Sequence, residues 1–308
     1  MSKSVKDFMK NPGLLFISLG HRGWFHWMDD ETYLKIAYRV KMGKKLNLNP
    51  PVTFNEKLQW LKLHDHCPKY TTMVDKYEAK KWVADCIGGG YIIPTLGVWN
   101  HFDEINFDEL PNQFVLKCTH DSGGLVICRD KSKLDKEVAR EKIETCLKHN
   151  FFWGQREWAY KNVKPRIIAE KYMEDTAAKM LGSSGLVDYK FFCFNGVPKF
   201  VYVSCGLENH SNAQISFLDM NWKFEKFKRS DYCPLSDIPP KPAALEKMKV
   251  LAQQLSEGIP FVRVDLYEVQ GNVYFGEMTF YPCSGFLPFE PEDYDKILGN
   301  YISVDCFK

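Results

Sequence analysis

No stretch of this 308-residue chain stays apolar for the roughly 20 residues that a membrane-spanning helix requires. The run Leu14-Leu15-Phe16-Ile17 is broken soon after by Gly20 and by charge, so a secretory signal peptide is not expected either. A surplus of one charge is also missing. Lysine and arginine number 41 against 39 aspartates and glutamates, and the net +2 gives no support to a nucleic-acid footprint. Ten cysteines are present, but no two form a C-x-x-C pair, and in a chain this long they read as free thiols of a reducing compartment. A Walker G-K-[ST] is absent, and there is no internal repeat or low-complexity segment. What remains is a cytoplasmic globular protein, 45% hydrophobic and 26% charged, long enough for two or three lobes.

What is present is concentrated in residues 261–285, F-V-R-V-D-L-Y-E-V-Q-G-N-V-Y-F-G-E-M-T-F-Y-P-C-S-G. The alternation predicts two strands joined by a short turn near Gln270-Gly271-Asn272. With the turn centred on Gly271, Asp265 falls opposite Glu277 and Arg263 opposite Thr279. Period-two alternation then puts Arg263, Asp265 and Tyr267 on one face with Phe275, Glu277 and Thr279. Two carboxylates facing each other across a hairpin repel unless a cation lies between them. An oxygen-only pair with room for waters suits Mg²⁺ bridging nucleotide phosphates. An ordinary half-exposed hairpin with scattered charges is the competing reading.

The first 70 residues are predicted to be mainly helical. Asp29 to Thr32 starts one helix, with basic residues toward its end and a break at Asn49-Pro50-Pro51. Thr53 and Glu56 form a capping box before Leu58, Trp60, Leu61 and Leu63. Trp24, Phe25, Trp27 and Trp60 are expected in the core, with a peripheral membrane contact through the first three left open. A further helix begins at Asp75, and its Lys76, Lys80 and Lys81 read as a solvated face; Gly88-Gly89-Gly90 ends it.

Residues 114–118, F-V-L-K-C, read as a buried strand, and a lysine there is costly unless an anion meets it. The loop T-H-D-S-G-G follows, and Gly123 and Gly124 let backbone N–H groups approach phosphate oxygens; a plain hairpin with a Gly-Gly turn is the alternative. Residues 167–175, I-I-A-E-K-Y-M-E-D, form a strand whose polar-aromatic end can serve as an adenine hinge or be a plain strand end. Asp188 to Phe194 alternates, and Asn195-Gly196 is the strongest hairpin signal in the chain. Lys190 shares a face with Asp188, as a local salt bridge or as a second phosphate-directed cation.

The order of these pieces resembles the ATP-grasp superfamily, and the wording is closest to its teichuronopeptide-biosynthesis (TupA-like) branch. The resemblance rests on T-F-N-E-K-L-Q-W-L-K-L at 53–63, D-K-Y at 75–77, F-V-L-K-C-T-H-D-S-G-G at 114–124, I-I-A-E-K-Y at 167–172, D-Y-K-F-F-C-F-N-G at 188–196 and E-M-T-F-Y-P-C-S-G at 277–285. It implies an α+β ATP-grasp fold, in which two lobes clamp a nucleotide behind a mainly helical N-terminal region. The divisions are 1–90, 91–185 with the glycine loop and hinge, and 186–308 with the metal-binding hairpin. It further implies Lys117 on the nucleotide phosphates; Ser122, Gly123 and Gly124 as the phosphate-covering loop; and Glu170 and Tyr172 at the adenine, with Glu174 or Asp175 near the ribose. Lys190 falls where a basic residue faces the phosphates or the acyl group. Asp265 and Glu277 match the Mg²⁺ carboxylates, and Arg263 the arginine that steadies the transferred phosphoryl group. Many members have Asn two residues after the metal glutamate, where this chain has Thr279.

The implied activity is ATP-dependent carboxylate–amine ligation through an acyl phosphate, with ATP and Mg²⁺ as cofactors. The branch suggests a uronic-type sugar acid of a cell-surface polysaccharide as the carboxylate, and an amino acid or small amine as its partner. A glycosyltransferase or other transferase of the same pathway is the alternative, but no D-x-D triplet of the kind a metal-dependent sugar-nucleotide site would favour is expected in the chain.

Overall fold

The computed structural model describes residues 12–121, 123–174, 186–205 and 213–304. Five helices open the described residues: α1 (Pro12–His21), α2 (Asp30–Met42), α3 (Phe54–His64), α4 (Lys69–Val74) and α5 (Glu78–Ile87). Their ends follow local chemistry. The Asp29 carboxylate accepts from Thr32 N at 2.8 Å to cap α2. That helix stops at Gly43, whose φ of 70° is left-handed, well before the Asn49-Pro50-Pro51 break that the sequence suggested. Thr53 and Glu56 form the expected reciprocal box at α3. Asp75, just ahead of α5, accepts from the Tyr77 and Glu78 amides where the chain enters that helix. Among the described residues no helix is long and apolar enough to cross a membrane.

One aromatic expectation fails. Trp24 and Trp27 are 66% and 77% exposed rather than in the core. Phe25, between them, does pack, stacking on Phe16 at 4.5 Å.

The smaller sheet is four-stranded and antiparallel, in the order β1 (Thr95–Trp99), β4 (Ile167–Lys171), β2 (Phe114–Cys118), β3 (Leu125–Cys128). Phe114, Leu116 and Cys118 of β2 point into a core shared with Ile167 and Ala169 of β4 and with Ala139 and Ile143 of helix α6 (Lys136–Leu147). Alternation therefore turns Lys117 to the other face. Lys117 lies opposite Ile168, and Val115 opposite Glu170, so Lys117 and Glu170 are diagonal neighbours there.

The larger sheet is five-stranded and antiparallel, in the order β10 (Asn272–Thr279), β9 (Phe261–Val269), β5 (Asp188–Phe194), β6 (Val197–Cys205), β7 (Gln214–Asp219). Asn195-Gly196 and Gln270-Gly271 make its two tight turns, each pair with positive φ, as a type I′ hairpin needs. A short ribbon of β8 (Lys228–Arg229) and β11 (Phe289–Glu290) lies beside it. Tyr189, Phe191 and Cys193 of β5 share one face with Leu266, Val264 and Val262 of β9. Helix α8 (Leu245–Ser256), which comes after the short α7 (Phe152–Gln155), covers that face, with the Cys193 thiol 3.8 Å from Ala252 O.

The opposite face is divided along its length. At one end Phe192, Phe194, Phe200 and Phe261 join Phe54 of α3 in an aromatic cluster, with Phe54 edge-on to Phe261 at 4.9 Å. At the other end the face becomes polar, with Asp188, Lys190, Arg263, Asp265, Glu277 and Thr279. Burial of the aromatic end thus anchors the strands that carry the charges.

Candidate active site

Asp265 and Glu277 stand opposite each other, as do Arg263 and Thr279. The turn is shorter than expected, however: two residues, with Val269 paired to Asn272. Gly276 supplies the missing residue as a bulge, which restores the Asp265–Glu277 register. Phe275 then pairs with Leu266 and is buried in the core, not on the face of Glu277 as simple alternation predicted. Only glycine fits the bulge. A Cβ at 276 would lie 2.9 Å from Tyr267 Cε2 and 3.1 Å from Asp265 O.

Cations and carboxylates alternate across this face. Arg263 donates Nε and Nη2 to the two oxygens of Asp265 at 2.7 and 2.6 Å, and Nη2 also reaches Glu277 Oε1 at 2.9 Å. Lys190 Nζ donates to Asp265 Oδ2 at 2.9 Å and sits 3.0 Å from Asp188 Oδ2. Lys190 is thus a salt-bridge partner on both sides. The Thr279 hydroxyl donates to Glu277 Oε1 at 3.3 Å. Burial opposes charge on Asp265, but Arg263 and Lys190 outweigh it and hold the carboxyl below its ordinary value. Burial likewise opposes charge on Lys190, and Asp188 and Asp265 overcome it, so its pKa rises. The Asp265 side chain is 1% exposed, whereas that of Glu277 is 37% exposed.

The smaller sheet brings a second charged group. Lys117 Nζ sits 2.6 Å from Glu170 Oε2, and Lys80 of α5 pairs with Glu170 Oε1. Lys80 also donates to Ile93 O at 2.6 Å. Burial raises the pKa of Glu170, yet Lys117 and Lys80 more than offset it and leave the carboxyl below its usual range. Burial dominates at Lys80 and lowers its pKa, with Glu170 opposing. The two groups face one cavity, lined by Lys76, Lys80, Lys117 and Glu170 on one side and by Tyr267, Gly276 and Glu277 on the other.

The turn after β10 is strained. Cys283 and Ser284 have φ of 49° and 56°, left-handed values in residues other than glycine. Buried polar groups hold it there. Gln59 donates to the Ser284 and Gly285 carbonyls at 3.1 and 2.7 Å, and Lys62 donates to Ser284 O at 2.7 Å. The Ser284 hydroxyl donates to Glu157 at 2.6 Å. Lys62 makes three donated hydrogen bonds, to Gln59, Gln155 and Ser284, which requires its charged form; burial nonetheless pushes its pKa down to about 7.

The profile of TupA-like ATP-grasp proteins matches residues 56–303. The chain belongs to the TupA-like ATP-grasp family. The family brings the ATP-grasp fold and makes the chain an ATP-dependent ligase. Among curated proteins none matches it. Solved structures similar to the chain include a D-alanine–D-alanine ligase from Bacillus anthracis complexed with ATP, at 15% identity over 87% of this chain and 72% of that one, with a TM-score of 0.41. D-cycloserine synthetase DcsG has 16% identity over 82% and 79%, with a TM-score of 0.40. A RimK domain ATP-grasp protein from Sphaerobacter thermophilus has 11% over 76% and 69%, with a TM-score of 0.39.

Of the residues singled out in the sequence, Lys117, Glu170 and Glu277 line the cavity. Asp265, Arg263, Lys190 and Thr279 connect to Glu277 through the hydrogen-bonded chain just described. Glu170 meets two lysines instead of standing free for an adenine. The Tyr172 hydroxyl accepts from Arg129 Nε at 3.0 Å, away from the cavity lining, and Glu174 is exposed. Gly124 N donates to Asp121 Oδ1 at 3.1 Å, and Gly123 O accepts from Leu125 N. Ser122 and Asp175 lie outside the described residues.

Sequence reasoning missed Lys76 and Lys80, which face the cavity and not solvent. Their four-residue spacing directly after Asp75 was the available signal. A D-x-D triplet does occur, Asp293-Tyr294-Asp295, but it opens helix α9 (Asp293–Gly299). There Asp295 accepts from the backbone and side-chain nitrogens of Asn55, both at 2.9 Å.

Proposed function

We propose that this cavity is where the chain binds ATP with Mg²⁺, activates a carboxylate as an acyl phosphate and joins it to an amine. The observation that carries the reading is the meeting of Lys117, Lys80 and Glu170 with Glu277 across one cleft between the two sheets. The lobes divide near residues 90 and 185 in this reading. The donor set on the larger sheet fits Mg²⁺, being two carboxylates and a hydroxyl, all hard oxygens, with the two carboxylates already spaced to share one cation in Arg263 and the hydroxyl bonded to Glu277. Asp265, Glu277 and Thr279 would hold the metal, with Glu277 as the accessible ligand. Bound Mg·ATP supplies the phosphoryl group and offsets the charge that builds up as it moves.

The residues of the chain do the rest. Lys117 and Lys80 present positive charge to phosphate oxygens, and Glu170 fixes both ammonium groups in place before the nucleotide arrives. Arg263 and Lys190 supply charge from the opposite wall, where burial makes it count for more. Gly123 is assigned to offer its backbone N–H to the phosphates, with Gly124 joining it once its N–H leaves Asp121 Oδ1, and Tyr172 and Glu174 are assigned to the nucleoside end. The strained Cys283-Ser284 turn, braced by Gln59, Lys62 and Glu157, follows Thr279 closely in the chain and is assigned to orient the second substrate. In this reading the carboxylate is a uronic-type sugar acid of a cell-surface polysaccharide, its partner is an amino acid or small amine, and the reaction runs in the cytoplasm.

The test is ADP release that needs Mg²⁺, a uronic acid and an amine together, with the amide identified by mass. Asp265→Asn and Glu277→Gln are each expected to lower turnover by at least about a thousandfold. Unchanged turnover in both variants, or turnover of a nucleotide sugar in place of ATP, would overturn the assignment.

A further inference from the structure

A second constellation lies under the glycine loop, on the far side of β2 from Lys117. Cys118 ends β2, Asp121 lies in the loop that follows, and Cys146 is in the last turn of α6. One ligand atom from each, two sulfurs and a carboxylate oxygen, lies within 4.8 Å of the others. Both thiols are free, Cys118 buried and Cys146 half-buried. Gly124 closes over them. A Cβ there would lie 2.6 Å from Cys118 Sγ and 3.1 Å from Cys146 Cβ, so the loop approaches the sulfurs as nearly as any chain can.

We propose that Cys118, Asp121 and Cys146 form a binding site for a thiophilic divalent cation, Zn²⁺ by choice of ligands, with water as the fourth ligand. Tetrahedral zinc sets thiolate sulfurs about 3.8 Å apart, within the spread of this cluster. Two thiolates with a carboxylate are a soft set that selects Zn²⁺ over the Mg²⁺ expected at Asp265 and Glu277. Two sulfur–metal bonds form and two S–H bonds break, and both protons go to solvent. The resulting site carries one net negative charge, and Lys76 and Lys142 stand near Cys118 and Cys146 to balance it. Because uptake releases the thiol protons, apparent affinity rises with pH. Because the Asp121 carboxylate also accepts the Gly124 N–H at 3.1 Å, a bound cation would fix the end of the glycine loop.

The experiment uses the untagged full chain, reduced and stripped of metal, titrated without oxygen with Co²⁺ and then Zn²⁺. One Co²⁺ per chain is expected, with a thiolate-to-metal charge-transfer band that Zn²⁺ abolishes. Cys146→Ser and Asp121→Asn should each weaken binding at least about tenfold, while Cys233→Ser, at an exposed thiol, leaves it unchanged. Circular dichroism checks each fold, and Asp121→Asn decides the matter should Cys146→Ser fail to fold. A reduced chain that takes up no Co²⁺, or a band that survives both ligand variants, overturns the site. So does a band that disappears with Cys233→Ser.

Discussion

The two walls of the cleft solve the same problem with opposite signs. On the smaller sheet one carboxylate, Glu170, serves two ammonium groups, Lys80 and Lys117, leaving a positive surplus. On the larger sheet three carboxylates, Asp188, Asp265 and Glu277, surround two cations, Lys190 and Arg263, leaving a negative surplus. Each cluster is internally paired, which keeps burial tolerable, and each is one charge short of neutral toward the cleft. A positive wall suits phosphate and a negative wall suits a metal ion, so the pair suits a metal–nucleotide complex better than either wall alone.

The negative wall depends on one side chain far more than the positive wall does. Arg263 alone bridges Asp265 to Glu277, so Arg263→Met should cause the largest loss of stability, about 3 to 5 kcal/mol in denaturant unfolding. A loss no greater than that of a surface substitution would break the comparison. Gly276→Ala should come next. Its new methyl meets the Tyr267 ring and the Asp265 carbonyl, and an expected cost of about 1 to 3 kcal/mol would come with displacement of Glu277.

The smallest effect sharpens the positive wall. Glu170 has a folded pKa below its ordinary 4.5, so the unfolded chain takes up the proton first on acidification. Its stabilisation is complete above about 4.5 and is lost as the pH falls through the lower folded value. Glu170→Gln should therefore flatten the acid limb of the stability–pH curve, measured by thermal melts between pH 5 and pH 3, roughly that window. An unchanged limb would mean that the two lysines do not hold this carboxylate in solution.

What the sequence reveals of these walls follows the range of the interactions. Asn195-Gly196, the Thr53–Glu56 box and the Asp29 cap are local, and backbone chemistry alone announces them. The Asp265–Glu277 pairing was legible for a partly accidental reason. A three-residue turn without a bulge and a two-residue turn with one give the same register, so only Phe275 shows the difference. Gly276 looks like any strand residue until Tyr267 is seen against it. Lys80 was read as solvated because nothing within its helix shows Glu170, 90 positions on, beneath it. Trp24 and Trp27 mislead in the opposite direction, since side-chain apolarity does not reveal that no neighbour covers them among the described residues. Cys118 and Cys146 are invisible as a pair because a strand end and a helix end bring them together.

The most direct test of the opposed walls is calorimetric binding of a non-hydrolysable ATP analogue, with and without Mg²⁺, to the wild type, Lys117→Met and Glu277→Gln. Lys117→Met is expected to weaken binding in both conditions, whereas Glu277→Gln should leave metal-free binding intact and abolish the gain from Mg²⁺. Equal Mg²⁺ enhancement in Glu277→Gln and the wild type, or undiminished affinity in Lys117→Met, would contradict a nucleotide held between these two sheets.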